Sequence, residues 1–236
     1  MTHALLTAED HRELRIRTDS AAELGDAMMC AIAVPNEFRQ VQNEYPILFR
    51  MDADREGFTA LAMFGFENGE NLHLEGDRWD AAYRPLSVDI QPFLIGGADD
   101  AGARQVHIDM ASPRIGASEG MRVFDDAGRA TPYLETIAEK LGALDEGYQA
   151  SRDFFAALRR YDLLEPLVLE ITLDDGSANR LVGFHAIDEA KLQALDAAAL
   201  GELHAADHLM PIFMALASLA NLPSLIARKN RRLRHG

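Results

Sequence analysis

Three observations predict an α+β fold. Short apolar runs punctuated by turns fill residues 45–110, a long helical periodicity follows Asp125-Asp126-Ala127-Gly128, and a second well-marked hairpin stands between two helical regions. The expected arrangement is mainly antiparallel sheet in the N-terminal half, with C-terminal helices and one further hairpin. The 236 residues read as one domain, 1–236, with a basic tail at 228–236, because single cores keep growing up to roughly 250 residues.

In chain order, residues 45–51 and 58–66 form two strands joined by Asp52-Ala53-Asp54-Arg55-Glu56-Gly57. That joint imitates the start of an EF-hand loop, but Met63 stands where a bidentate Glu is needed, so it reads as a hairpin turn. Residues 71–75 alternate as a half-exposed strand and leave through Gly76-Asp77. Strands are expected at 87–95 and 105–110, with a Gly-rich loop at 96–102 between them. Thr131-Pro132 caps and starts a helix, and Leu134, Ile137, Leu141, Leu144, Phe154, Phe155 and Leu158 carry its apolar stripe to about residue 161. Residues 167–173 and 181–187 are the second hairpin, turning at Asp174-Asp175-Gly176-Ser177. Asp188-Glu189 opens another helical stretch, and a last helix at 210–227 leads into the tail.

Composition narrows the function. A net charge of −15 argues against nucleic acid as a partner, since phosphate backbones are held by Lys and Arg. The single cysteine, Cys30, excludes an intramolecular disulfide framework and a cysteine-based zinc site. Its apolar neighbours, residues 27–34, predict a buried, inert thiol. No Gly-x-Gly-x-x-Gly stands between strand and helix, no P-loop and no Gly-x-Ser-x-Gly elbow occur, and no cofactor is expected. His204 and His208 have the i, i+4 spacing of metal ligands but lack the Glu of a metalloprotease helix, so no metal is assigned. With neither a secretory signal nor a run of about 20 apolar residues recognised, a cytoplasmic protein is expected.

The segment GFENGENLHLEGDRWDAAYRP, residues 65–85, holds the only tryptophan. Glu70, Asn71, Trp79 and Tyr83 are the candidates for a small-molecule or peptide pocket. The competing reading makes the segment a sheet corner, with Trp79 packed on the strand at 45–49. Arg228, Lys229, Arg231, Arg232 and Arg234 put five positive charges at the end of an acidic chain. They are candidates for contact with a protein partner, an anionic membrane surface or a second copy of the chain. The opposing reading is a solvated helix end, and on either one the tail is expected to be dispensable for folding.

"NEYPILF" (43–49), "ENLHLEGDRWDAAYRP" (70–85) and "GFHAIDEAKLQAL" (183–195), in that order, resemble the SapC family of Gram-negative bacteria. "DDAGRATPYL" and "FFAALRRYDLLEP" extend the similarity over nearly the whole chain, while Phe184-His185 replaces the family's usual Leu-Tyr. The resemblance implies an accessory protein in a cell-envelope pathway such as S-layer export or TonB-dependent nutrient uptake. It carries no catalytic residues. Two alternatives stand beside it: a small metal-independent enzyme acting with a halogenase-like flavoprotein or cupin-like protein, and a membrane-surface adaptor working through the tail. A non-enzymatic role is favoured over an enzyme.

Overall fold

Short apolar runs, buried from both sides at residues 47–49 and 60–63, mark the inner strands of a five-stranded sheet at the centre of the molecule. The computed structural model describes residues 3–53, 57–98, 104–116 and 118–235. Its strands are β1 (His3–Leu5), β2 (Arg15–Ile16), β3 (Cys30–Ile32), β4 (Ile47–Met51), β5 (Phe58–Met63), β6 (Leu74–Glu75), β7 (Arg78–Trp79), β8 (Phe93–Ala98), β9 (Arg104–Asp109), β10 (Ile115–Gly116), β11 (Met121–Arg122), β12 (Leu164–Thr172) and β13 (Ala178–Ile187). Its helices are α1 (Ala8–His11), α2 (Phe38–Val41), α3 (Leu86–Asp89), α4 (Pro132–Arg160), α5 (Glu189–Gln193), α6 (Ala197–Ala205), α7 (Leu209–Ser218) and α8 (Leu222–His235). The central antiparallel sheet has the order β12-β13-β4-β5-β3; β1-β9-β8 and β10-β2-β11 form smaller sheets, and β6-β7 a ribbon. This is the expected α+β class.

Both faces of the central sheet are covered. Ile47, Phe49, Ala60 and Ala62 face a core that includes Phe154, Phe155 and Leu158 of α4. Leu48, Leu61 and Met63 face the opposite way, onto a core that includes Leu225 of α8. The first half of α4 leaves this sheet and buries Leu134, Ile137, Leu141 and Leu144 against Phe93 of β8 and Ile108 of β9. One helix of about 43 Å, at 1.5 Å per residue, thus joins the central sheet to the β1-β9-β8 sheet. Thr131 Oγ1 accepts from Leu134 N and Pro132 opens the helix, as expected. Gly147 lets α4 pass the Pro35–Glu37 3-10 turn closely, since a Cβ there would lie 2.5 Å from Val34 Cγ2.

Both hairpins form where expected: Leu48 opposes Leu61 and Leu169 opposes Leu181. The centre of the 52–57 turn and the end of the 96–102 loop lie outside the described residues, while residues 96–98, expected as loop, continue strand β8. Four expectations need correction. Residues 87–95 are not one strand: Pro85 opens the helical turn α3, and the chain becomes extended only at Phe93, after the cis Gln91-Pro92 bond. The 71–75 strand shrinks to Leu74–Glu75, because Asn71 folds its side chain onto the backbone. Cys30 lies on the edge strand β3 and is half-buried, with burial raising its thiol pKa. The last helix breaks at a 3-10 turn, Leu219–Asn221, and then continues through the basic residues to His235.

By length and composition alone the Leu209–Arg234 stretch suffices to cross a membrane, which the sequence reading did not register. Only 28% of its most apolar window is buried within the protein, Ile212, Ala215 and Ser218 among the buried residues.

Candidate functional site

Helix α8 folds back over the 65–85 segment. Lys229 is 7% exposed and donates from Nζ to Glu70 Oε1 at 2.6 Å and Glu67 Oε1 at 3.0 Å. Burial works against its ammonium, but the two carboxylates outweigh burial and raise the Lys229 pKa. Arg228 Nη1 donates to Asp80 Oδ2 at 2.8 Å, and Arg232 Nη2 to the carbonyls of Asn71 and Leu74 at 2.9 and 2.8 Å. Arg234 pairs with Asp174. Arg231 has no such partner among the described residues. Arg228 and Lys229 thus clasp the acids of the segment they cover, while Arg231, Arg232 and Arg234 remain exposed at the helix end.

Beneath the clasp the segment builds a buried polar network. Trp79 Nε1 donates to Tyr45 Oη at 2.7 Å, and Tyr45 Oη donates to the Tyr83 carbonyl at 2.5 Å. Trp79 meets Phe64 edge-on at 5.1 Å and shares one core cluster with Tyr45, Ile47 and Phe49 of the expected strand. Tyr83 Oη donates to Glu37 Oε2 at 2.8 Å. The same carboxylate accepts from Leu86 N and Val34 N at 2.9 and 3.0 Å. Burial raises the Glu37 pKa, and burial together with the Glu37 charge raises that of Tyr83. His73 is buried with Nε2 unpartnered, and burial followed by the Arg228 charge pushes its pKa down to about 4. Together these contacts pin Tyr83-Arg84-Pro85.

That pinned turn lines two adjoining hollows, an open lobe and a recess, together called the cleft, which share three side chains. The open lobe, about 470 Å³, is lined by Trp79, Tyr83, Arg84 and Asp89, with Lys140 from α4. A more enclosed recess of about 150 Å³ shares Arg84, Asp89 and Lys140, and adds Arg17, Arg114 and Tyr133. The i, i+3, i+7 spacing of Tyr133, Thr136 and Lys140 brings all three to the recess from one face of α4. Lys140 Nζ lies 2.5 Å from Asp89 Oδ2, whereas Arg84 Nη1 stands off at 3.6 Å from Asp89. Arg84 donates to Ser20 Oγ at 2.6 Å and stacks over the Trp79 ring at 5.3 Å. Arg114 is held in the recess wall by a buried pair with Asp26 at 2.6 Å.

Of the four pocket candidates, Trp79 and Tyr83 line this cleft. Glu70 and Asn71 do not line it. Glu70 is engaged by Lys229 and Phe66 N, while Asn71 donates to the Asp26 carbonyl at 2.8 Å. Sequence reasoning missed Arg17, Arg84, Arg114, Tyr133 and Lys140, and only the polar stripe on α4 offered a local signal. A separate hollow of about 710 Å³ lies beside β3, β8 and α4 with a mostly apolar lining that includes Ile32, Ile90, Leu94 and Tyr148. It is larger, but it lacks the convergent charges of the cleft. His208 packs edge-on against Phe154 at 5.7 Å, and no group of three metal-ligating side chains occurs among the described residues.

The family profile that matches this chain, described as SapC, spans residues 6–225. The chain belongs to the SapC family. The match takes in the whole cleft, the network beneath it and α8 as far as Leu225, so in this SapC chain the clasp cations lie just past the matched region. No curated protein matches the chain, and no solved structure does.

Proposed function

We propose that this SapC-family chain is a binding protein, receiving a small ligand in the cleft beside Trp79 and acting in the cytoplasm as an accessory to a cell-envelope pathway such as S-layer export or TonB-dependent uptake. One observation carries the binding reading: a concave site of ligand size in which charged and aromatic side chains converge on a turn fixed by Glu37 and Tyr45. The family resemblance supports the pathway. The test uses the sole tryptophan as reporter. Trp79 emission is screened against a panel of organic acids, sugar phosphates, amino acids and neutral sugars, and at least one class should give a saturable change. If no class alters the emission or the melting temperature, the binding reading fails.

A second reading, association with a protein partner or with a second copy, is favoured by the outer face of α7. Met210 and Phe213 are 52% and 51% exposed there. Contact with an anionic membrane through the tail falls to the exposed Arg231, Arg232 and Arg234, because Arg228 and Lys229 are held by Asp80, Glu67 and Glu70.

A further inference from the structure

We infer that the ligand of the cleft is a small organic anion whose carboxylate or phosphate group occupies the enclosed recess while its body lies over Trp79 and Tyr83. This rests on the binding reading above and names the ligand class of the same site.

The first support is charge. Arg17, Arg84, Arg114 and Lys140 line the recess, and Asp89 is the one carboxylate in its wall. Asp19 and Asp26 pair with Arg17 and Arg114, so with Asp89 included one positive charge is left over. That surplus sits in a chain of net charge −15, where the surrounding surface repels anions and a cationic pit is the place they are held.

The second support is donors without acceptors. Arg84 Nε is buried and has no hydrogen-bond partner. Lys140 has three N–H donors and one acceptor, Asp89. The Tyr133 hydroxyl makes no hydrogen bond among the described residues, and burial keeps it protonated by raising its pKa to about 12. Lys140 and the Tyr133 hydroxyl can each give a further hydrogen bond to an anionic oxygen in the recess, with the Arg84 guanidinium adding its charge. The recess has room for one such group, and the open lobe for a body of several more atoms. An aromatic or apolar body would lie against the Trp79 and Tyr83 side.

The experiment titrates the full chain with phenyl phosphate, benzoate and benzyl alcohol, following Trp79 emission, and repeats the titrations on Lys140→Met, Lys140→Arg and Arg84→Met. At least one anion should bind saturably and benzyl alcohol far more weakly. Lys140→Met and Arg84→Met should each weaken the anion by about tenfold or more, and Lys140→Arg should restore most of the loss. Affinity should also fall as salt rises from about 0.02 M to about 0.5 M. Phenyl phosphate binding without benzoate, or the reverse, supports the inference and tells which acid group the recess takes. Melting temperatures of the variants separate lost binding from lost folding. If benzyl alcohol binds as tightly as the anions, the anion inference is overturned and the cleft remains a binding site. If the anions bind and neither Lys140→Met nor Arg84→Met changes their affinity, they bind elsewhere and the inference is overturned. If no probe binds, it is likewise overturned, and the broader panel decides the binding reading separately.

Discussion

Replacing Lys229 by Met tests whether α8 is part of the folded core. The substitution keeps the length of the side chain and removes its charge. It leaves the Glu70 carboxylate, 12% exposed, with Phe66 N as its remaining donor. Glu67 is half-exposed and keeps its bond from Asn179 at 2.7 Å, so its loss is smaller. Breaking a buried pair by removing one partner costs about 3–5 kcal/mol, and the water-facing Glu67 places this case near about 3 kcal/mol. For a chain of this size that corresponds to a drop in melting temperature of about 6–12 °C. Urea unfolding followed by Trp79 emission and by circular dichroism measures it. Because the folded Lys229 pKa is raised, its contribution is fully present below the unfolded lysine value near about 10.4 and is lost as pH rises through the folded pKa. The loss should therefore be the same at neutral and mildly alkaline pH. Adding Glu70→Gln to Lys229→Met should recover part of the stability, and Arg231→Ala should change it by under about 0.5 kcal/mol. A Lys229→Met protein that melts with the wild type would refute the clasp and restore the solvated tail.

Three further outcomes follow from the packing. The depressed His73 pKa means that the unfolded chain binds more protons between about pH 6.5 and 4, so stability should fall by about 2 kcal/mol from pH 7 to pH 5 on this account. Glu37, whose pKa is raised, pulls the opposite way, so the His73 contribution is read as the difference between wild type and His73→Gln in urea titrations at both pH values; equal slopes would count against it. Gly142→Ala should stabilise α4 by up to about 1 kcal/mol, since nothing lies within 4 Å of its new methyl, whereas Gly147→Ala should destabilise by collision with Val34. Matching shifts of the same sign in a thermal melt would show that α4 does not pass the 3-10 turn as described. Trp79→Ala should lower stability by about 3–5 kcal/mol, because it opens the core around Phe64 and strands Tyr45; a wild-type melting temperature would contradict the core-anchor role.

What the sequence made legible was local. The Thr131-Pro132 start and apolar stripe of α4, and both hairpins, lie within contiguous residues whose periodicity states the element directly. The 87–95 stretch misled because Val88 and Ile90 are buried from a helical turn, and a short apolar run reads alike in either conformation. The tail was visible as charge, but the partners that fix it, Glu67, Glu70, Asp80 and Asp174, stand 60 to 162 positions away in the chain. The cleft was hidden for the same reason. Trp79 and Tyr83 drew attention as aromatics in one segment, whereas Arg17, Arg114 and Lys140 come from three other segments and meet only through the packing of α4.

The central claim, that the cleft beside Trp79 is a binding site for a small anion, is tested most directly by nuclear magnetic resonance. The single tryptophan gives one indole N–H resonance, and Arg84 Nε gives another beside it. On titration with phenyl phosphate or benzoate, the account predicts that both resonances shift together and saturate at one dissociation constant, with Tyr133 and Lys140 among the perturbed groups. Saturable shifts at α7 or in the apolar hollow near Leu94, with the Trp79 and Arg84 signals unmoved, would contradict it.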